Sequence, residues 1–375
     1  MAALWGEQDE RRQALADIGQ VVDAHRDELE VDCRLPAPVV DALRAAGAFR
    51  LPIPAAWGGP ELPLVQIADV LEELAYLDGA VGWCAMIGCD GGFYTAWLDD
   101  EVGRTMYADL DSVTAGWVVP AGSAEPVDGG HRLTGRWSFG SGSTHADWFC
   151  TGGLTADTME WRLFFVPAAD VSVVPGSWDT TGLRGTGSND YAIDGAFVPL
   201  ERSFDFTDPP KRSGTLYGFR GGFALKLGAV PIGLARRALD EVVALAERKI
   251  VMPQLTPLRE LLTMQEGAAK AEALIYSSRA YYHDALHRLA EAVEAGGVDE
   301  HTRRHAWLAA ASAVQTCRQA VEVLSELVGT DSVRRSNPVE RIRRDLATAS
   351  THIVGRTWGP AGRHLLGLDP GHPLF

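Results

Sequence analysis

The chain of 375 residues sets 34 Lys and Arg against 50 Asp and Glu, a formal charge of −16 that argues against a nucleic-acid backbone as partner. Its 46% hydrophobic and 22% charged content is that of a soluble globular protein with one large core or two to three subdomains. No window of about 20 apolar residues occurs and charge begins at Glu7, so neither a membrane span nor a signal peptide is expected.

From Glu7 to Ala108 the apolar spacing is helical. Leu15, Ile18, Val22 and Leu29 form one stripe, Val39, Val40, Leu43 and Ala46 a second, and Leu64, Ile67, Val70, Leu71 and Leu74 a third. Pro52-Ile53-Pro54 and Gly58-Gly59-Pro60 punctuate them. Between Ser112 and Phe206 short strands alternate with Gly, Pro and Asp turns, as in Trp161–Val166, Val171–Val174 and Tyr191–Ile193, the pattern of an antiparallel sandwich or barrel.

The strand from His131 to Phe139 runs into Gly140-Ser141-Gly142-Ser143, small residues that let another group approach the backbone closely. A hairpin corner and a binding turn both fit that pattern. After Phe219 long helices return: one starting at Thr256-Pro257 and ending near Gly296-Gly297, one from Asp299 to Gly329, and one from Asn337-Pro338 to Gly355, together a bundle. In the last helix, Ile342, Leu346, Ala349 and Ile353 form an apolar stripe, with Arg341, Asp345, Thr348 and His352 one residue behind. His352 is then a packed histidine or a site residue at the edge of the buried face.

The expected division is 1–110 helical, 111–215 β and 216–375 helical. In that order the chain resembles the acyl-CoA dehydrogenase superfamily. The likeness runs through Pro54-Ala55-Ala56-Trp57-Gly58-Gly59, Leu71–Ala75 with Asp78, Pro120–Ser123, Gly135–Ser143, Gly182–Ser188 with Val198-Pro199, Gln265, Arg279 and Gly367–Gly371. The fold implied is α+β: an N-terminal helical domain, a central antiparallel β-sandwich or barrel, and a C-terminal four-helix bundle.

Within that superfamily, Leu346–Leu366 contains no Asp or Glu for the carboxylate base of a dehydrogenase. Arg344-Asp345 with His352, and Phe139-Gly140-Ser141-Gly142, instead resemble the two-component, reduced-flavin-dependent monooxygenases. The resemblance implies FMNH2 or FADH2 delivered by a separate NAD(P)H:flavin reductase. No G-x-G-x-x-G follows a strand here, so no nicotinamide domain is expected in the chain. It implies a flavin C4a-hydroperoxide formed with molecular oxygen, and oxygenation of a small aromatic, amine, amino-sugar or natural-product substrate.

It implies Ser141 and His352 as catalytic residues, with His352 titrating near neutrality. Trp117, Phe139, Ser141, Gly142, Gly187, Ser188 and Arg248 are implied at the flavin, and Asp90 and Trp83 at the substrate. A cytoplasmic homotetramer is implied as well. An acyl-CoA dehydrogenase-type desaturase and a non-redox ligand-binding or cyclisation protein remain as alternatives.

Other signals are assigned to structure. Cys33, Cys84, Cys89, Cys150 and Cys317 are scattered, without disulfide or zinc-knuckle spacing. The pairs His283/His287 and His301/His305 lack the Glu of a zinc helix and read as solvated faces, with no metal expected. Tyr281-Tyr282 reads as bundle core or subunit interface. The basic run from Arg334 to Arg356 has the composition to hold a phosphate.

Overall fold

A computed structural model describes residue 5 and residues 8–205, 207–253 and 255–371. Helices α1 (Gln8–Ala24), α2 (Arg26–Val31), α3 (Ala37–Ala45), α4 (Leu64–Leu77), α5 (Gly79–Gly88), α6 (Asp90–Tyr94) and α7 (Asp100–Met106) come first. Strands β1 (Thr114–Ala115), β2 (Pro120–Val127), β3 (Gly130–Gly140), β4 (Trp148–Thr155), β5 (Trp161–Pro167), β6 (Ser172–Val173), β7 (Asn189–Pro199) and β8 (Ser203–Phe204) follow. Then come α8 (Gly222–Leu225), α9 (Ala229–Arg248), the small ribbon β9 (Ile250–Val251) and β10 (Thr256–Pro257), α10 (Leu262–Glu294), α11 (Glu300–Val328), α12 (Pro338–Ala349) and α13 (Trp358–Leu365).

The chain forms two compact units. The first holds the stretches up to Ile67, Trp83–Thr180 and Arg184–Phe223; the second holds Ala68–Gly82, Thr181–Leu183 and the chain from Ala224 on.

In the first unit the strands form one sheet in the order β6-β7-β3-β2-β4-β5-β8, with β1 on β4. The expected antiparallel pairing is found except at β1–β4 and β2–β4, which are parallel. The β2–β3 hairpin is antiparallel, so β4 can join β2 only in the same sense once the chain has crossed back from Gly140 to Trp148.

Alternation along the strands sends Ala124, Leu133, Trp137, Phe149, Phe164, Val166, Tyr191 and Ile193 into one core. Trp137 stacks on Tyr191 with ring centroids 5.4 Å apart, and its indole N–H donates to Gly152 O at 2.8 Å. The Tyr191 hydroxyl accepts from Trp117 N–H at 2.9 Å and meets Thr151 Oγ1 at 2.8 Å. Such a ring satisfies its polar edge and buries its faces.

In the second unit α9, α10, α11 and α12 pack together as the expected bundle. Helix α11 begins where Asp299 Oδ1 accepts from Thr302 N–H at 2.7 Å, and α12 where Asn337 Oδ1 accepts from Val339 N–H at 2.9 Å, as their sequences predict. Tyr282 is fully buried, its hydroxyl donating to Leu225 O at 2.9 Å. No helix among the described residues is long and apolar enough to cross a membrane.

Two helix boundaries differ from expectation. Thr256-Pro257 does not start a helix: the pair lies in β10, opposite Ile250–Val251, and α10 starts only at Leu262. Helix α12 stops at Ala349 rather than Gly355. Ser350 Oγ donates back to Ala347 O at 2.7 Å and Thr351 Oγ1 to Thr348 O at 2.8 Å, and His352 is extended at ψ 147°. His352 therefore lies beyond the helical stripe, and Ile353 is exposed rather than in the apolar row.

Trp137→Ala should cost about 3–5 kcal/mol by removing a buried aromatic from a closely packed sheet core. Urea unfolding followed by circular dichroism measures it, and a loss below about 1 kcal/mol would contradict the central place given to this ring.

Candidate active site

At the end of β3 the backbone leaves regular geometry. The pairing of β3 with β7 shifts between Trp137 and Gly140, and Phe139 takes φ +64°, a left-handed conformation rare for a residue with a Cβ. That kink turns Phe139 outward, where it is 57% exposed. The edges of Trp117 and Trp178 stand against it, with centroids 5.6 and 6.4 Å away in T-shaped contact. Trp117 and Phe139 are thus brought together as expected; Trp178 carried no periodic or motif signal in the sequence.

The turn that follows is held by the segment 186–189. Gly142, at φ +75°, donates its N–H to Thr186 O at 2.9 Å. Ser143 Oγ donates to Gly187 O at 2.8 Å, and Asn189 Nδ2 donates to the same carbonyl at 3.0 Å. Ser141 is buried; its Oγ accepts from Trp83 Nε1 at 3.0 Å and lies 2.7 Å from Ser188 Oγ. Ser141, Gly142, Gly187 and Ser188 therefore form one constellation. Trp83, expected at the substrate, has its indole N–H on Ser141. Asp90 is buried and accepts from the Tyr94 hydroxyl at 3.4 Å.

Under this turn lies His145, whose Nε2 is sealed from solvent with no hydrogen-bond partner among the described residues. A Cβ on Gly142 would stand 3.3 Å from that nitrogen, so the imidazole supports the turn from behind. Burial, reinforced by the Arg44 guanidinium, pushes its pKa down to about 4.

In the second unit His352 has the same protonation preference. Val354 N–H donates to its Nδ1 at 3.3 Å, so the neutral ring carries its hydrogen on Nε2. Burial of the ring, with the like charge of Lys226, pushes the pKa down to about 4. The expected titration near neutrality is therefore corrected: this histidine is neutral at pH 7. Lys226 is 1% exposed, and its sequence signal was a single cation inside the apolar run Phe223–Leu227.

Arg344-Asp345 serve to hold chain. Asp345 Oδ1 accepts from Leu183 N–H at 2.6 Å, Arg344 donates to Thr181 O, and a Cβ on Gly182 would lie 2.1 Å from Arg344 O. Arg341 pairs with buried Asp78 at 2.7 Å. Arg334, Arg343 and Arg344 likewise pair with Asp331, Glu322 and Glu340, so these cations of the expected phosphate run are committed to carboxylates. Arg248 is exposed at the end of α9 with no ion-pair partner among the described residues.

His283 is not on a solvated face. Its side chain is 12% exposed, and its donor atom lies with those of Asp69 and Glu72 within 4.8 Å of one another, a grouping able to hold a metal ion. Arg279 already meets both carboxylates at 2.6 Å, which makes the cluster an ion-pair network as it stands.

Residues 6–98 match the family model described as acyl-CoA dehydrogenase, N-terminal domain, and residues 225–356 the one described as acyl-CoA dehydrogenase, C-terminal domain. The chain is 30% identical over 344 residues to an indole-3-acetate monooxygenase of Pseudomonas putida, covering 88% of this chain and 87% of that protein. It is 26% identical over 389 residues to the oxygenase component of the FADH2-dependent resorcinol hydroxylase of a Rhizobium species, covering 95% and 94%. The solved structure of XiaF from a Streptomyces species, in complex with FADH2 and glycerol, shares the fold with a TM-score of 0.85 at 23% identity, covering 98% of this chain and all of that one, 100%. HsaA monooxygenase from Mycobacterium tuberculosis does so with a TM-score of 0.86 at 23% identity, covering 96% and 99%.

Acid should unfold the protein through its two neutral histidines. Both rings have folded pKa values near 4 against about 6.5 unfolded, so the unfolded chain gains protons first as pH falls. Stability present above pH 6.5 is then lost toward pH 4, by roughly 2–3 kcal/mol per ring. Urea midpoints between pH 7.5 and 4.5 measure the loss, and His145→Gln should remove about half of the histidine share; an unchanged pH slope would refute the assignment.

Proposed function

This chain belongs to the acyl-CoA dehydrogenase superfamily, in its flavin-dependent monooxygenase branch, and from that premise we propose that Ser141 faces the reactive edge of a reduced flavin and that His352 is a second catalytic residue, acting as a neutral hydrogen-bond donor. When bound, the flavin supplies the two electrons with which molecular oxygen is split between product and water.

The residues present fit such a group. Phe139 is an exposed aromatic held edge-on by two tryptophans, a platform for a flat ring. The Ser141 hydroxyl, fixed by Trp83 and Ser188, offers one polar contact at a defined place. That placement of Ser141 on a kinked, glycine-bounded turn carries the reading. Phe139, Trp117, Gly142 and Gly187 would hold the ring directly and Ser188 through the Ser141 hydroxyl, and the exposed Arg248 is a candidate partner for a flavin phosphate.

His352 does its work neutral. With Nδ1 engaged by Val354 N–H, its Nε2–H donates without carrying charge, and the ring gives up or takes no net proton near pH 7. Trp83 orients the serine.

The relatives named for indole-3-acetate and resorcinol support a small aromatic substrate. The naming of relatives as oxygenase components supports a separate flavin reductase as partner. Exposed Ile250, Met252, Leu255 and Leu262 support assembly into a homotetramer, and the free cysteines support a cytoplasmic location.

Purified protein mixed anaerobically with FMNH2 or FADH2 and then with oxygenated buffer should delay the appearance of oxidised flavin relative to free flavin. Reoxidation at the free rate despite binding would favour a desaturase, and no binding would remove the flavin reading. Ser141→Ala and His352→Ala should keep the fold and lower product per flavin oxidised on the order of 10²-fold, with hydrogen peroxide rising to match. His352→Gln, which retains a neutral donor, should recover part of the product, and product yield should show no inflection near pH 6.5 from this ring. Unchanged product and peroxide in both alanine variants would refute the assignment.

A further inference from the structure

Ser141, Ser188 and Thr186 form a continuous chain of hydroxyls. Ser141 Oγ lies 2.7 Å from Ser188 Oγ, which lies 2.7 Å from Thr186 Oγ1, and all three residues are buried. Each hydroxyl has one hydrogen and two lone pairs, so the single hydrogen of Ser188 can serve only one neighbour at a time. The chain therefore has two polarities.

If Thr186 donates to Ser188 and Ser188 to Ser141, then Ser141 accepts twice, from Ser188 and from Trp83 Nε1 at 3.0 Å, and its own hydrogen is left to be donated outward. If Ser141 donates to Ser188 and Ser188 to Thr186, Ser141 keeps a lone pair with which to accept from outside. The Trp83 indole is a donor only, so it is compatible with both states and prevents the serine from turning its hydrogen toward the ring. Both states keep both links of the chain; the hydrogen left over stands on Ser141 in the first state and on Thr186 in the second.

A flavin needs both states. Its N5 bears no hydrogen when oxidised and one when reduced, so a fixed donor would suit only the first form and a fixed acceptor only the second. Resting on the reading that Ser141 faces this edge, we infer that Ser188 and Thr186 are positioning residues that let Ser141 reverse, donating to oxidised flavin and accepting from reduced flavin. Their function is to let one serine hold both forms of the flavin, with the reduced form depending on them the more.

Removing Ser188 should affect the two forms unequally. With reduced flavin, Ser141 would point its hydrogen at a missing acceptor, a buried unsatisfied donor. With oxidised flavin, only one accepted bond is lost. Ser188→Ala should therefore raise the Kd for reduced flavin about tenfold and that for oxidised flavin less than about threefold. Ser188→Thr, which keeps the hydroxyl, should restore the ratio.

The measurement is equilibrium titration of the full chain with FMN and FAD, oxidised and anaerobically reduced, with melting temperature as a check on folding. If Ser188→Ala does not fold, Thr186→Val, which keeps shape but removes the next hydroxyl, should show the same asymmetry in smaller degree. Equal changes in both forms, or no change, in a folded variant would overturn the relay. Ser141→Ala separates this outcome from failure of the underlying reading: it should weaken both forms, and if it changes neither, Ser141 does not face the flavin at all.

Discussion

The site depends on one clasp, the hydrogen bonds that tie residues 141–143 to residues 186–189. Gly142 N–H on Thr186 O, Ser143 Oγ on Gly187 O and Ser141 Oγ against Ser188 Oγ join two stretches that regular sheet pairing has already released. Strand pairing ends at Gly140↔Asn189, and beyond it the backbone groups would otherwise be buried without partners. The Thr186 carbonyl and the Ser143 and Asn189 side chains supply partners, which is why small hydroxyl and glycine residues stand here. Phe139 at φ +64° is the local cost of turning the chain, of order 1–3 kcal/mol, and the clasp over-determines it.

The histidine behind that clasp is neutral at pH 7, and the Arg44 guanidinium lies beside it. His145 supports the turn as a neutral ring, and His352 in the second unit is neutral as well, each with a pKa near 4. Protonating a buried imidazole would require either a carboxylate beside it or water around it. At His352 the charged neighbour is Lys226, of the same sign as the imidazolium, which favours the neutral form further. Both rings thus take part in hydrogen bonding as neutral groups at pH 7.

The fold was legible because periodicity reports burial: the stripes at Val39–Leu43 and Ile67–Leu74, the strands around Trp137 and Tyr191, and the caps Asp299 and Asn337 all occupy the places their patterns require. The central turn was legible for a related reason, since Gly and Ser following an aromatic strand leave few alternatives. What sequence could not show was what depends on through-space partners. Trp178 is indistinguishable from a core tryptophan until Phe139 comes beside it, and Trp83, expected at the substrate, shows its bond to Ser141 only in the fold. The protonation of His352 depends on the burial of its ring and on the charge of Lys226, neither of which its place in the sequence reports. The end of α12 was misplaced because Ser350 and Thr351 compete for carbonyls, a local effect that the apolar spacing does not record.

The Arg344-Asp345 pair carries a related lesson, because a motif shared with catalytic relatives need not touch the reaction. Asp345 is 2% exposed and takes the N–H of Leu183, a residue at φ +51°, while Gly182 fits against the Arg344 carbonyl only because it lacks a Cβ. Three consecutive residues, Thr181 to Leu183, are thereby fastened to α12 immediately before the chain enters the segment that clasps Ser141. A carboxylate is suited to this because a charged acceptor bonds a backbone N–H more strongly than a neutral one, and the neighbouring Arg341 offsets the cost of burying it. The pair is therefore a structural fastening of Thr181–Leu183 onto α12.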